Sequence, residues 1–158
     1  MLYYSSNKVL QRSKLILNRD LKIMQFTKRL AIDNPGVNNR MKLAASLVIK
    51  RDVISVGVNV MRSHPIQKKY GKNDASIYLH AEINAIVNSL NHVDKDDLRK
   101  ADLYVYRVKK DTNDPSRKHW VDGLSCPCEG CMSAIDAFKI KRVVHSTDTN
   151  NEYEEIIF

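Results

Sequence analysis

The chain has 158 residues, of which 43% are hydrophobic and 28% charged, the size and mix of one soluble globular domain, with a formal net charge of +8. Its apolar runs, of which residues 43–49 are representative, are far shorter than the roughly 20 residues of a membrane helix, and its first residues lack the basic-then-apolar layout of a secretory signal. We therefore expect a single domain over residues 1–158, in the cytoplasm and without a membrane segment. The positive charge favours an anionic partner, either a phosphorylated small molecule or nucleic acid, unless it only solvates the surface.

The first half of the chain is predicted to form a helix followed by a β-hairpin. Residues 1–35 are interpreted as an N-terminal helical extension, with amphipathic spacing and a stop signal, Asn-Pro-Gly, at residues 34–36. Two β-rich runs, 42–50 and 53–60, predict the hairpin. The polar and basic residues 61–75 are predicted to be a loop.

The second half alternates helix and strand signals. An apolar period of 3.6 residues predicts a helix over 77–90, with His80 and Glu82 in its first turns. A strand, a polar connection, a helix, a strand and a final strand are then predicted over residues 103–108, 109–123, 127–138, 141–145 and 148–158. This order indicates an α/β layered domain, with its core over residues 40–146.

Two short clusters, His80-Ala81-Glu82 and Pro127-Cys128-Glu129-Gly130-Cys131, contain most of the functional information. Together they supply one imidazole, two thiols and a carboxylate, which suits a catalytic zinc with three protein ligands and a water in the fourth position. The three cysteines of the chain lie within residues 126–131, too crowded for a disulfide framework, so metal ligation is the better interpretation. The spaced pattern H-x-E…P-C-x-x-C is a signature of zinc nucleobase deaminases.

The spacing explains why these residues can act together. Cys128 and Cys131 are three positions apart, so both sulfurs project from one face of a helix that begins at Pro127, and the helix N-terminus favours their thiolates. His80 would be the third ligand. Glu82, offset from it by about 200° on a helix, would not bind the same ion but would take a proton from the water and return it.

Other interpretations of these residues stay open. A structural zinc site would be closed by a fourth ligand, from Cys126 or His119, although Glu82 then has no role. A zinc-stabilised binding module without chemistry is a further alternative. The other histidines are expected to be ordinary surface or loop residues: His64, His92, His119 and His145. Trp120 is interpreted as a packing anchor rather than a base-stacking platform.

The chain resembles the cytidine/deoxycytidylate deaminase superfamily over about residues 40–146. The resemblance lies in four segments: Leu47-Val48-Ile49, Val56-Gly57-Val58-Asn59, His80-Ala81-Glu82 and Cys126-Pro127-Cys128-Glu129-Gly130-Cys131. It implies a three-layer α/β/α fold with a mixed β-sheet and a Zn²⁺ between two helix N-termini. It also implies a homo-oligomer.

The same resemblance implies a role for each site residue. His80, Cys128 and Cys131 would bind zinc, and Glu82 would be the catalytic proton shuttle. Asn59 would contact the sugar or base of the substrate, and the main-chain groups of Ala81 and Cys126 would hold the pyrimidine edge.

These observations lead to two hypotheses for the substrate. His80 at the metal-binding position resembles deoxycytidylate deaminases and tRNA adenosine deaminases, which carry a histidine there. The first hypothesis is therefore a hydrolytic deaminase of dCMP or a close relative. The cations expected to reach its 5′-phosphate lie in predicted loops: Arg62, Lys68, Lys69, Lys72, Arg117 and Lys118. The alternative is a deaminase of cytosine or adenine bases in RNA or single-stranded DNA, with Trp120 or Tyr70 stacking on a flanking base.

Overall fold

The computed structural model describes residues 17–35, 41–72 and 78–158. Its helices are α1 Asn18–Ile32, α2 Pro65–Tyr70, α3 Ala81–Ser89 and α4 Glu129–Ala137, and a 3₁₀ helix spans Lys95–Lys100. Its strands are β1 Met41–Ile49, β2 Asp52–Val58, β3 Val60–Ser63, β4 Tyr78–Leu79, β5 Ala101–Lys110, β6 Trp120–Gly123, β7 Arg142–Ser146 and β8 Tyr153–Ile157. Among these helices, none is long and apolar enough to cross a membrane.

A mixed sheet forms the centre of the molecule. Its strands follow the order β2-β1-β5-β7-β8, and β6 pairs with the end of β5. The β5–β7 pair is parallel, whereas β1–β2, β1–β5, β5–β6 and β7–β8 are antiparallel. The predicted hairpin is therefore confirmed as β1 and β2, and the mixed sheet is confirmed as well.

Helices cover both faces of the sheet, because side chains alternate between the faces along each strand. On one face, Met24 of α1 belongs to the same buried cluster as Tyr104 of β5. On the other face, Leu103 of β5 packs in a cluster with Ile86 of α3 and Ile135 of α4. The three-layer α/β/α arrangement predicted for the chain is confirmed.

The prediction of a loop over residues 61–75 is wrong where the structure describes it. Strand β3 pairs with β4, and helix α2 follows directly. A start signal for α2 is present in the sequence, since Pro65 occupies its first turn and the His64 Nδ1 accepts the Ile66 N–H at 3.2 Å. Residues 73–77 lie outside the described residues.

Two further boundaries differ from the prediction. The connection predicted over 109–123 is the tip of a hairpin, because β5 continues to Lys110 and pairs with β6, which begins at Trp120. The helix predicted over 77–90 begins only at Ala81, after the two residues of β4. The sequence does not predict the end of β5, because Lys109 and Lys110 are polar residues of the kind expected in a loop.

Close contact between β2 and α3 fixes the helix that carries the first cluster. A Cβ atom on Gly57 would lie 2.3 Å from the Ala85 nitrogen and 2.5 Å from the Ala81 oxygen. Only glycine allows the strand to approach the α3 backbone so closely.

Candidate active site

Two helix N-termini meet at one point above the sheet, and each places a metal-binding side chain there. His80 precedes the first residue of α3, and Cys128 precedes the first residue of α4, both with extended backbone. Cys131 follows in the first turn of α4. Helix α4 begins at Glu129, two residues later than the start that the sequence predicted at Pro127. Two of the three donors, His80 and Cys128, therefore lie at helix capping positions.

The donor atoms of this group have the spacing of a zinc site. His80 Nδ1 lies 3.5 Å from the Cys128 Sγ and 3.3 Å from the Cys131 Sγ, and the three donor atoms all lie within 4.8 Å of one another. Donors around a tetrahedral zinc, at about 2.0 Å for nitrogen and 2.3 Å for sulfur, are separated by about 3.6 Å. The group fits Zn²⁺ in both chemistry and spacing.

The hydrogen bonds within this group favour the thiolate form of Cys128. The Cys131 hydrogen bond, together with that of His80, lowers the pKa of Cys128 to about 4. The same contact with Cys128, followed by burial, raises the pKa of Cys131 well above its usual range, and the Cys128 contact also raises the pKa of His80. A divalent cation would displace the remaining protons, because its ligands are thiolates and neutral imidazole.

Glu82 lies beside the metal group without belonging to it. It occupies the second position of α3, is 3% exposed, and is hydrogen-bonded to the Cys131 thiol. Burial raises the pKa of its carboxyl group, which therefore accepts and releases protons nearer to neutral pH than an exposed glutamate. A buried carboxylate that is not a ligand is what a proton-transfer role requires.

A cavity of about 240 Å³ opens in front of these groups. Six of the site residues that the sequence predicted line it: Asn59, His80, Ala81, Glu82, Cys126 and Cys128. Cys131 is fully buried behind them. The cavity also contains residues that the sequence analysis did not select: Met41, Leu43, Arg107, Leu124 and Ser125.

The side-chain oxygen of Asn59 is fixed by main-chain and side-chain donors. Its Oδ1 accepts the Leu43 N–H at 2.8 Å and the Asn34 Nδ2 at 2.9 Å. Among the described residues, its Nδ2 has no hydrogen-bond acceptor. The amide is therefore held by its oxygen, and its two N–H groups are available to a ligand in the cavity.

Helix α2 packs over both helix N-termini of the site. The fully buried Gln67 accepts the His80 N–H at 2.9 Å through its Oε1. A Cβ atom on Gly130 would lie 2.7 Å from the Tyr70 oxygen, so the missing side chain of Gly130 makes room for α2. A loop predicted over residues 61–75 does not indicate Gln67 as a site residue. The signal for the helix that carries Gln67 is the His-Pro start at residues 64–65.

Several predicted contributors do not reach the site. The described residues that line the cavity include none of the six loop cations proposed for phosphate binding. Lys69 lies over the ring of Tyr70, 5.4 Å from its centroid, and Lys72 is 4.0 Å from Glu129. Neither Cys126 nor His119 belongs to the metal group in the described part of the chain, so the closed four-ligand alternative has no support.

The other histidines and the tryptophan can also be placed. The prediction of a surface or loop position is wrong for His145, which lies in β7 and is 1% exposed, with its Nδ1 3.1 Å from the Ser146 oxygen. His119 is exposed and lies 2.7 Å from Asp114. Trp120 packs at the edge of the α1-side cluster, with lysine ammonium groups over its ring, so it is a packing residue here.

The fold and the site together define a zinc-dependent hydrolase with a mixed sheet between two helical layers. Residues 17–147 match the model of the cytidine and deoxycytidylate deaminase zinc-binding region. The chain belongs to the cytidine and deoxycytidylate deaminase family and is a zinc-dependent deaminase, from a family that acts on small-molecule cytosine substrates.

Among solved structures, the fold is similar to that of the 1.6 Å crystal structure of cytidine deaminase from Burkholderia pseudomallei. The TM-score is 0.57 at 15% sequence identity, over 89% of this chain and 91% of that chain. No curated protein matches the chain by sequence.

Proposed function

We propose that the protein is a zinc-dependent deaminase that converts a cytosine nucleotide, dCMP or a close relative, to the uracil nucleotide and ammonia. The observation that carries this proposal is the position of Glu82, buried in the cavity wall beside three donor atoms that it does not join. In this proposal His80, Cys128 and Cys131 hold the zinc ion. When bound, zinc supplies Lewis-acid activation of a water molecule at neutral pH.

Glu82 moves the protons of the reaction. It accepts a proton from the water that adds to C4 of the cytosine ring and passes it to N3. It then takes up the second proton of that oxygen and delivers it to the amine as the C4–N bond breaks, so ammonia leaves and C4 becomes a carbonyl. Its raised pKa supports this role, because a carboxyl group that titrates nearer to neutral pH transfers protons in both directions.

The cavity walls hold the substrate. In this proposal, main-chain groups of Ala81 and Cys126 contact the pyrimidine edge, and the Asn59 amide contacts the sugar or base. All three residues line the cavity. Glu82 is only 3% exposed, so its carboxylate meets little competing water and its polar contacts are strengthened. A cytoplasmic location, a single deaminase domain over residues 1–158 and a homo-oligomer remain predictions of the sequence.

A substrate panel tests the proposed function. Zinc-loaded protein is incubated with cytidine, deoxycytidine, their mono-, di- and triphosphates and a cytosine-containing oligonucleotide, and released ammonia is measured. We expect the highest kcat/KM for dCMP or a closely related monophosphate. Silence towards all free nucleosides and nucleotides would reject the proposal, and turnover of the oligonucleotide alone would favour the nucleic-acid alternative.

A further inference from the structure

We infer that Arg107 recognises the 5′-phosphate of the substrate and so makes the enzyme selective for nucleotides over nucleosides. The inference rests on the proposed function and adds a residue that the motif does not contain. Arg107 lies on β5 and lines the same cavity as Glu82.

The position of Arg107 is unusual for its strand. On the site-facing side of β5, Ala101, Leu103 and Val105 are fully buried and apolar. Arg107 follows them in the same alternation, at the point where the strand passes the cavity. Burying a charged side chain on an apolar face costs free energy unless a polar or charged partner compensates it. A ligand in the cavity would be such a partner for Arg107.

The backbone around Arg107 is firmly held. Its N–H donates to the Ser146 Oγ at 3.1 Å, and that hydroxyl donates to the Gly123 oxygen at 2.7 Å. Gly123 pairs with Arg107 across the strands, and a Cβ there would lie 3.1 Å from the Arg107 Cγ and 3.2 Å from its Cδ. The glycine therefore lets the arginine stem lie flat against β6, so the guanidinium is positioned before a ligand binds.

The guanidinium has few protein partners. Its Nη1 makes one long contact, 3.4 Å, with the Leu124 oxygen, and its Nε is buried without a hydrogen-bond partner in the described part of the chain. No carboxylate of the described residues lies within ion-pair distance of it. Asp148, whose charge Arg107 feels at longer range, is paired with Lys109 at 2.7 Å.

Two other cations near the sheet are neutralised by contrast. Arg142 binds the carboxylates of Asp20, Asp102 and Glu155, and Lys28 lies 2.7 Å from Asp122. Among the described residues that line the cavity, Arg107 is the only arginine or lysine. It has no carboxylate partner there. The planar fork of a guanidinium is suited to two oxygens of one phosphate group.

The neighbours of Arg107 indicate which part of the substrate it meets. Leu43 pairs with Arg107 across β1 and β5, and the Leu43 N–H donates to the Asn59 Oδ1. Arg107 and Asn59, the proposed contact to the sugar or base, therefore both neighbour Leu43. A phosphate on the sugar, rather than the pyrimidine ring, is the anionic group that reaches Arg107.

The test compares Arg107→Met, Arg107→Lys and a matched control, Arg62→Met, in zinc-loaded protein. Arg62 is exposed on β3 and does not line the cavity. We expect Arg107→Met to lower kcat/KM for dCMP about 100-fold while deoxycytidine changes less than about threefold, because two charged hydrogen bonds are lost. Arg107→Lys keeps the charge without the fork, and we expect about a tenfold loss on dCMP alone.

A binding measurement separates this inference from the proposed function. Calorimetric titration with dUMP and deoxyuridine should give weaker dUMP binding in Arg107→Met, unchanged deoxyuridine binding and a wild-type result for Arg62→Met. Equal losses for phosphorylated and unphosphorylated ligands, or an unchanged preference for dCMP, would overturn the inference while leaving the deaminase activity standing. Arginine-dependent dUMP binding in a wild-type protein that deaminates no cytosine compound would support the inference and reject the proposed function. If Arg107→Met does not fold, Arg107→Lys gives the same comparison.

Discussion

Asn34 donates from its Nδ2 to both oxygens of Asn59, the main-chain oxygen and the side-chain Oδ1, at 2.9 Å each. Asn34 follows the end of α1 and is 2% exposed, whereas Asn59 lines the cavity. The segment interpreted from sequence as a helical extension therefore supports a wall of the active site. Its hydrogen bonds fix the orientation of the Asn59 amide, which we propose to contact the sugar or base of the substrate.

Asn34→Ala should lower kcat/KM for the preferred nucleotide about tenfold, because Asn59 loses a donor that holds its side chain. Zinc content should not change, since Asn34 does not contact the metal group. Steady-state kinetics and metal analysis check both expectations. Asn113→Ala, in the exposed turn between β5 and β6, is the matched control and should behave as wild type. Unaltered kinetics in Asn34→Ala would show that Asn59 is held by other contacts.

Gly57→Ala should destabilise the fold by about 3 kcal/mol, because the added methyl would meet the α3 backbone at 2.3 and 2.5 Å. Backbone atoms cannot rotate away as a side chain can, so α3 would have to move off the sheet. Urea unfolding measures the change. Val53→Ala, at an exposed position on the same strand, should cost less than about 0.5 kcal/mol. A loss no greater in Gly57→Ala than in the control would contradict the close approach.

Gln67→Met should weaken zinc binding about tenfold, the lower end of the loss seen when groups that orient metal ligands are removed. Methionine fills a similar volume but leaves the buried His80 N–H without its acceptor. Competition with a chromogenic zinc chelator measures the affinity. Lys68→Met, exposed on the same helix, is the control. Equal zinc affinity in the two variants would mean that α2 does not position His80.

Asp20→Asn tests the ion pairs that attach α1 to the sheet. Burial raises the pKa of Asp20, but hydrogen bonds from Arg142 and Tyr104 outweigh it, so the pKa is lowered overall. A lowered pKa contributes stability that is fully present above the unfolded value of about 3.9 and is lost as pH falls through the folded value. The substitution should cost about 3 kcal/mol at pH 7, because the Arg142 cation loses a buried partner.

The pH dependence distinguishes this ion pair from simple packing. The difference in unfolding free energy between wild type and Asp20→Asn should stay constant from pH 7 down to about pH 4 and shrink below it. Denaturant titrations at several acidic pH values measure that difference. If the difference does not change with pH, Asp20 stabilises the fold by packing and not by its charge.

The parts of the fold that follow from the sequence are those with strong local signals. The hairpin of β1 and β2 and the helices after His80 and Cys128 were predicted because apolar periodicity and turn residues agree there. Helix α2 and strand β6 were missed because lysines and other polar residues cover their exposed faces. Their stability comes from pairing with β5 and packing against α4, which periodicity within a short segment does not reveal.

The site divides in the same way. The three metal-binding side chains and Glu82 were predicted because their chemistry is concentrated in two short motifs. Arg107, Gln67 and Asn34 were not, since each reaches the site only through strand pairing or helix packing. Arg107 had a usable signal, as the first charged residue on the site-facing side of β5, directly after three apolar positions. The prediction for the six cations rested on their charge and on predicted loops, and without the strand register these do not locate a pocket.

Glu82→Gln, assayed for zinc content and turnover in the same preparation, tests the proposed mechanism most directly. We expect one zinc ion per chain, as in wild type, with turnover of the preferred nucleotide reduced at least about 1,000-fold, because glutamine neither accepts nor delivers the protons. Turnover that survives the substitution would contradict the proton-transfer role. Loss of the metal from Glu82→Gln would indicate that the carboxylate is a zinc ligand. That result would contradict the position of Glu82 outside the group of His80, Cys128 and Cys131.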